Sequence, residues 1–239
     1  MPGRNLGDGI LSDRDLAFRH FPVIAFDRME PFLPSRVGYT IFRSPSDSRV
    51  DYKRKLSTPS ALDFGLAGLD CVIEYGIWWD WDIEHLYELE AAWIYLDGAG
   101  RHVRVEASWH GGYKVMLVDG RIPIRDGRPL LFSQPGKHAF AASPQAFSSE
   151  EKYAAPCSKE AGSMGLLVTP LFEGRIAKNP DRDRLARGYL QSRAFIPSFE
   201  FVKEWRMPRE AFVPWDKLEK WIPVRIEEIL SRLAEGKSP

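Results

Sequence analysis

The 239-residue sequence lacks any apolar run long enough to cross a membrane, since a spanning helix needs about 20 predominantly apolar residues. It also lacks an excess of one charge, because 33 Lys and Arg residues balance 33 Asp and Glu residues. No global field draws such a protein to nucleic acid or anionic lipid, so we expect no nucleic-acid partner. The N-terminal residues carry scattered charges where a signal peptide needs an apolar core of about 7–15 residues. We therefore expect a cytoplasmic protein without a transmembrane segment.

Cysteine is scarce, and Cys71 and Cys157 are the only two. Disulfide scaffolds and zinc ribbons both need more thiols at closer spacing, so we expect two free buried thiols. The sequence also lacks a Gly-rich phosphate loop and a G-x-S-x-G nucleophile elbow. The absence of both motifs gives no support to a nucleotide-binding loop or to covalent serine catalysis.

Aromatic residues, by contrast, make up 13% of the chain, which also contains 18 Pro and 19 Gly residues. This composition favours short strands and turns over a helical bundle. Turn signals separate β-like runs at 71–79, 86–97, 102–109 and 128–134. Consecutive strands of this kind predict a mainly β fold, an antiparallel β-sandwich with peripheral helices. We interpret residues 1–239 as a single β-sandwich domain, with residues 173–239 as a peripheral, mostly helical elaboration.

Helical patterns flank the predicted strands. Ser12 and Asn179 are typical N-cap residues and predict helices that begin directly after them. An apolar stripe at helical spacing near the C-terminus comprises Ile226, Ile229, Leu230 and Leu233. This stripe predicts a C-terminal helical segment packed on the rest of the protein, and Pro223 predicts a hinge between two helical pieces.

A cluster of acidic residues and one histidine lies in WWDWDIEHLYELE, residues 78–90. Glu88 and Glu90 are two residues apart, so both carboxylates point to the same face of a strand. Asp82 and His85 enter from the preceding turn. Carboxylates that converge repel one another unless a positive charge lies between them. The cluster therefore predicts one divalent metal ion bound by Asp82, His85, Glu88 and Glu90.

The ligand types leave the identity of the metal open. Magnesium, calcium and manganese are favoured because they prefer carboxylates and water, whereas the imidazole also suits zinc. A second interpretation needs no metal at all. In that interpretation the acidic side chains form a solvated strand face, with His85 at a turn.

Two segments of this cluster resemble the necrosis- and ethylene-inducing-like protein family and its vacuolar-protein-sorting-like relatives. YGIWWDWD is similar to an aromatic strand of that family that ends in an acidic metal ligand, here Asp82. HLYELE resembles the family's hallmark heptapeptide, read as H-x-x-D-x-E. The resemblance implies that His85, Glu88 and Glu90 occupy the other ligand positions, with Glu88 in place of an aspartate.

Two later segments extend the resemblance. EASWHGGYK is similar to the family's Ser-x-His-Gly-Gly-Tyr stretch and supplies His110, whereas RPLLFSQPGKHAFA resembles a strand and turn that bring His138 near the metal. The resemblance implies that both histidines lie near the metal or its ligand. The sequence departs from the family at Tyr87 and Leu89, and it shows no signal peptide or disulfide like those of secreted members.

The resemblance implies a divalent cation in an aromatic-rimmed cleft that binds a small polar ligand, such as a sugar or a headgroup. Four tryptophans suit stacking against that ligand and equally suit a core: Trp78, Trp79, Trp81 and Trp109. The alternative function is a metal-dependent hydrolase. In that case the cation lowers the pKa of a bound water, and His110 or His138 moves the proton.

Overall fold

The computed structural model of the chain describes residues 11–45, 47, 62–147 and 150–237. The strands in these ranges are Val23–Phe26 (β1), Arg36–Phe42 (β2), Leu69–Trp81 (β3), His85–Asp97 (β4), His102–Trp109 (β5), Gly112–Val115 (β6), Ile124–Arg125 (β7), Arg128–Ser133 (β8), Phe140–Ala141 (β9), Gly165–Leu166 (β10), Lys203–Trp205 (β11) and Phe212–Pro214 (β12). The α-helices are Asp13–His20 (α1), Glu150–Cys157 (α2), Pro180–Gln191 (α3) and Trp215–Ala234 (α4). Short 3₁₀ turns cover 144–147, 170–172 and 209–211.

The strands form two sheets in the described part of the chain. One has the order β11-β1-β8-β7 with β9 on β8, and the other has the order β12-β2-β3-β4-β5-β6 with β10 on β4. The sheets contact each other in one core, where the rings of Phe26 and Trp79 have centroids 6.5 Å apart. The predicted strand-rich fold with peripheral helices, including a C-terminal helix, is confirmed.

Within these sheets the predicted central strands are present as β3, β4, β5 and β8. Their mutual pairing is antiparallel from β3 to β5. The pairs β1–β8, β12–β2 and β10–β4 are instead parallel. Parallel neighbours need a long crossover connection, and each of these pairs joins segments that are far apart in the chain. Local sequence patterns therefore do not reveal them.

The long strand β3 is buried on both faces, and residues 71–79 form a continuous buried run. Trp79 points into the core between the sheets, whereas the ring of Trp78 packs against Trp221 of α4 with centroids 6.1 Å apart. Trp81 is also buried. Trp78 and Trp79 are therefore core residues, whereas Trp81 also lines a surface cavity beside Tyr189.

The C-terminal segment is one helix, α4, and the predicted hinge at Pro223 is wrong. Proline lacks the N–H that would bond to the carbonyl of Glu219 four residues earlier. The Arg175 guanidinium donates a hydrogen bond to that carbonyl at 2.9 Å, so the freed acceptor is satisfied and the helix continues. No helix in the described ranges has both the length and the hydropathy of a membrane span.

The apolar stripe of α4 packs on the sheet at β2. At Gly38 of β2, a Cβ atom would lie 2.8 Å from Leu218 Cδ2, so the helix approaches the strand too closely for a larger residue. Leu218, Ile222 and Ile226 are fully buried there. Of the predicted stripe, Ile226, Ile229 and Leu230 are buried and Leu233 is half-buried.

Two truncations on α4, one buried and one exposed, should show how much of the free energy of unfolding comes from the packing of this stripe. Ile226→Ala should lower the free energy of unfolding by about 2–5 kcal/mol, because it removes buried methyl groups and leaves a cavity. Val224→Ala on the same helix is the matched control, since Val224 is 56% exposed. Chemical denaturation of both variants measures the difference. Equal losses would contradict the packing of α4 on β2.

The residue pattern does not predict α2. This helix has eight residues, contains Pro156 near its end and has only a weakly amphipathic pattern. It carries Cys157, which is a buried free thiol, as is Cys71 on β3. Burial raises the pKa of Cys71 to about 11 and that of Cys157 further, so both remain protonated and unreactive at neutral pH.

Candidate metal centre

A tight turn between β3 and β4 carries the candidate centre. The Asp82 N–H donates to the His85 carbonyl at 3.0 Å, and Asp82 Oδ1 accepts from the Glu84 N–H at 2.8 Å. The Ile83 N–H donates to the Gly136 carbonyl at 2.8 Å, which ties the turn to the loop after β8. These bonds hold the Asp82 carboxylate in a fully buried position.

An unusual backbone conformation at Tyr87 brings His85 and Glu88 together. Residues three apart point to opposite faces of a regular strand. Tyr87 lies between them with a φ of 62°, a left-handed conformation that turns both side chains toward Asp82. Such a conformation costs about 1–3 kcal/mol and persists only where the surroundings hold it. The buried Tyr87 ring is held by stacking on Trp78, with centroids 5.1 Å apart.

The three side chains offer one ligand atom each, and these atoms all lie within 4.8 Å of one another. Nε2 of His85 is 3.6 Å from Asp82 Oδ1 and 3.8 Å from Glu88 Oε2. His85 Nδ1 donates to the Tyr87 carbonyl at 2.8 Å, which assigns the ring proton to Nδ1 and leaves the Nε2 lone pair for a cation. We call Asp82, His85 and Glu88 the ligand triad.

One buried oxygen of Asp82 is suited to bind a cation. Asp82 Oδ2 is buried and has no hydrogen-bond partner among the described residues. Leaving such an acceptor unsatisfied costs about 1–3 kcal/mol. Although burial opposes ionisation, positive charge beside the carboxylate, including the Lys137 ammonium that bonds to it, holds the pKa of Asp82 below its usual value. An ionised, buried carboxylate with a free oxygen is suited to ligate a metal.

Lys137 supplies positive charge that the sequence interpretation missed. Its Nζ lies 2.7 Å from Asp82 Oδ1 and 2.7 Å from Glu84 Oε2. Although burial alone would lower the pKa of Lys137, these two carboxylates raise it above its ordinary value, so the ammonium stays charged. Lys137 thus neutralises part of the acidic cluster. No spacing rule links positions 82 and 137, because the contact depends on the loop after β8 folding over the turn.

Glu90, predicted as the fourth ligand, lies outside the ligand triad. Its carboxyl group accepts a hydrogen bond from the Ser108 hydroxyl instead. Burial and the neighbouring charge of Glu88 raise the pKa of Glu90 well above its usual range. Glu88, Glu90 and Ser108 line a cavity of about 220 Å³, together with His110 and Lys137. We call this space the triad-side cavity.

The two predicted accessory histidines have different surroundings. His110 and Gly111 form the two-residue turn between β5 and β6, with φ values of 45° and 80°, as a type I′ hairpin requires. This turn places His110 at the triad-side cavity. His138 is fully buried, and its ring stacks on Trp79 with centroids 4.7 Å apart. It is not among the residues that line the cavity.

Glu30 is a second residue that the sequence analysis missed. Its carboxylate accepts hydrogen bonds from the Gly136 N–H at 2.7 Å and the Phe32 N–H at 3.1 Å, and it lies 3.4 Å from His138 Nε2. Glu30 therefore anchors the loop that carries Lys137. The only sequence signal is a carboxylate directly before Pro31 in the Pro-interrupted run FPVIAFDRMEPFLP, which also carries Asp27 and Arg28.

The comparisons with known proteins give one match to a solved structure. The sequence matches no protein-family model and no curated protein. Among solved structures, the chain is similar to a crystal structure of a triple mutant of NLPPya, a necrosis- and ethylene-inducing-like protein. The sequence identity is 17%, the match covers 56% of this chain and 77% of that chain, and the TM-score is 0.30.

Proposed function

We propose that the protein binds one divalent cation through Asp82, His85 and Glu88 and holds a small polar ligand beside it. The observation that supports this best is the convergence of an imidazole nitrogen and two carboxylates, one with a buried oxygen that lacks a hydrogen-bond partner. Three protein ligands leave coordination positions for water or a ligand, since divalent cations take four to eight. The two oxygen donors favour magnesium, calcium or manganese, and the imidazole also admits zinc.

The triad-side cavity supplies the polar groups for a small ligand. Lys137 is a cationic donor, the Ser108 hydroxyl bonds to Glu90, and His110 lies at the mouth formed by the β5–β6 turn. The volume of about 220 Å³ is below the range of about 300–1,000 Å³ that is typical of drug-sized ligands. A ligand of this site would therefore be small or would insert one group, such as a sugar hydroxyl face or a headgroup.

The position of His110 at the same cavity supports a second candidate function, a metal-dependent hydrolase. His110 lines the cavity with Glu88, and burial lowers the pKa of His110, so the neutral ring can accept a proton near neutral pH. A bound cation would supply an activated water. Hydrolysis of nitrophenyl esters that is lost in His110→Gln, with cation binding unchanged, would favour this function over simple binding.

Thermal unfolding and calorimetric titration with magnesium, calcium, manganese and zinc test the proposed metal site. A bound ion should stabilise the wild-type protein by about 2.7 kcal/mol at a hundredfold excess over the dissociation constant. Glu88→Gln keeps the side-chain shape but removes a charged ligand. It should weaken the affinity for the ion at least about tenfold, or roughly 1.4 kcal/mol.

Glu90→Gln is the matched control, because Glu90 lies two residues further along β4 and lines the same cavity. It should keep the metal response of the wild-type protein. An equal loss of metal affinity in both variants would show that Glu90 is also a ligand. A wild-type protein that responds to none of the four ions would overturn the proposal.

A further inference from the structure

A second polar site lies at the far end of β4 from His85. His102 pairs there with Leu96, close to where β4 ends. A surface cleft of about 690 Å³ opens between α1, the turn from β4 to β5 and the segment that leads to β8. Its charged and titratable lining residues are Arg19, His20, Arg101, His102 and Arg121. None of the described lining residues is acidic, so the cleft is cationic.

Two histidines at this cleft form a direct pair. His20 Nδ1 lies 3.1 Å from His102 Nε2, and the ring centroids are 5.2 Å apart. One ring must donate the single proton that they share. A neutral pair then offers one outward N–H and one outward lone pair, whereas a singly protonated pair offers two outward N–H groups and a positive charge. The pair therefore gains a donor for an anion when it takes up one proton.

The surroundings of the two rings oppose that protonation. Burial, followed by the charges of His102, Arg19 and Arg128, lowers the pKa of His20 to about 4. Burial also lowers the pKa of His102. Desolvation causes both shifts, and at His20 positive charge adds to it. An anion in the cleft would oppose both effects.

The arginines around the cleft are only partly neutralised. Arg101 pairs with Asp97 at 2.7 Å, and the Arg128 guanidinium lies over the Phe18 ring at 5.1 Å. Arg19 and Arg121 form no ion pair with any residue that the structure describes. Guanidinium groups bind phosphate oxygens through paired N–H donors. Two such groups and a protonatable histidine pair suit a doubly charged oxyanion.

Apolar side chains complete the lining and remain unusually exposed. Val103 is 39%, Leu117 46% and Ile124 49% exposed. The cleft volume falls within the usual range of about 300–1,000 Å³ for small-molecule sites. A ligand that covers these side chains has an apolar body in addition to its charged group.

We propose that this cleft binds a phosphate monoester with an apolar body, through Arg19, Arg121 and the His20–His102 pair. Binding takes up a proton at the histidine pair, so the affinity rises as the pH falls. The site is separate from the ligand triad and needs no metal ion.

Isothermal titration calorimetry with phenyl phosphate tests the proposal. The affinity should exceed that for inorganic phosphate, and it should increase from about pH 8 to about pH 6 as the imidazoles become protonatable. Benzyl alcohol, which has the ring but no charge, should not bind. Repeating the titration in buffers of different ionisation enthalpy measures the proton uptake directly.

Arg19→Ala and Arg121→Ala should each weaken phenyl phosphate binding roughly tenfold. Arg184→Ala, an exposed arginine on α3, is the control and should not change it. His102→Gln should reduce the proton uptake that accompanies binding, because it removes one ring of the pair. Thermal unfolding checks that each variant is folded. Equal affinities in all the arginine variants, or no binding of phenyl phosphate or vesicles, would overturn the proposal.

A vesicle experiment distinguishes the source of the phosphate. Co-sedimentation with phosphatidylcholine vesicles that contain phosphatidic acid, lost in Arg19→Ala and Arg121→Ala, would assign the phosphate to a lipid headgroup. Binding of phenyl phosphate without co-sedimentation would assign it to a free phosphate monoester. Either result supports the cleft as a phosphate site.

Discussion

Replacement of Lys137 by methionine should destabilise the protein by about 3–5 kcal/mol in the presence of a chelator, because it leaves a buried charge without its partner. Methionine keeps much of the side-chain length but removes the ammonium that contacts Asp82 and Glu84 at 2.7 Å. The Asp82 carboxylate would then have two buried oxygens with too few donors. Chemical denaturation in chelator measures the loss.

Divalent cations should restore part of that stability. A cation at the ligand triad supplies the positive charge that Lys137→Met removes, so the metal-dependent gain should be larger in the variant than in the wild-type protein. Lys220→Met is the control, since Lys220 is an exposed lysine that pairs with Asp216 along α4. It should change neither quantity appreciably. A destabilised Lys137→Met variant that no cation rescues would show that the ammonium alone neutralises this cluster, and that result would contradict the proposed metal site.

The second large effect is expected at Glu30. Glu30→Gln should lower the free energy of unfolding by about 2–4 kcal/mol. The amide –NH₂ group replaces one carboxylate oxygen and cannot accept the hydrogen bond that this oxygen received from a backbone N–H group. The backbone donors include the Gly136 and Phe32 N–H groups. Since Gly136 begins the short segment that carries Lys137 and His138, the change should also weaken the metal response.

A matched control separates this anchoring role from a simple change of charge. Glu200→Gln removes a carboxylate that pairs with Arg28 at the surface, where such pairs contribute little. It should leave both stability and metal response close to wild type. A Glu30→Gln variant with full stability and an unchanged metal response would show that Glu30 does not hold the Gly136–His138 loop in place.

Local patterns in the sequence predicted much of the framework. The caps at Ser12 and Asn179 start α1 and α3, with side-chain oxygens that accept hydrogen bonds from the Asp15 N–H at 3.2 Å and the Arg182 N–H at 2.9 Å. Strands β3, β4 and β5 follow the predicted runs, because alternation and turn signals are local properties. Pro223 shows the limit of such reasoning. Whether a proline breaks a helix depends on a donor for the freed carbonyl, and here that donor is the distant Arg175.

At the candidate site, too, the sequence predicts some features and tertiary packing decides others. Asp82, His85 and Glu88 were predicted together because they lie within seven consecutive residues on a turn and the start of a strand. The prediction that Glu88 and Glu90 bind the same ion assumed a regular strand. In the structure, the φ of 62° at Tyr87 turns Glu88 toward Asp82, whereas Glu90 accepts a hydrogen bond from Ser108. Both depend on neighbouring elements that pack against β4.

The sequence by itself determined the strand-rich fold, the capped helices and the short stretch from Asp82 to Glu90 that carries the candidate site, since these depend on periodicity and on local spacing. Only the tertiary structure decided that Lys137 and Glu30 support the triad, and that α4 is continuous through Pro223. It also decided that His20 and His102, 82 positions apart, form a pair. Charge neutralisation and hydrogen bonding act through space over a few ångströms, and the chain separation between such partners carries no signal of their contact.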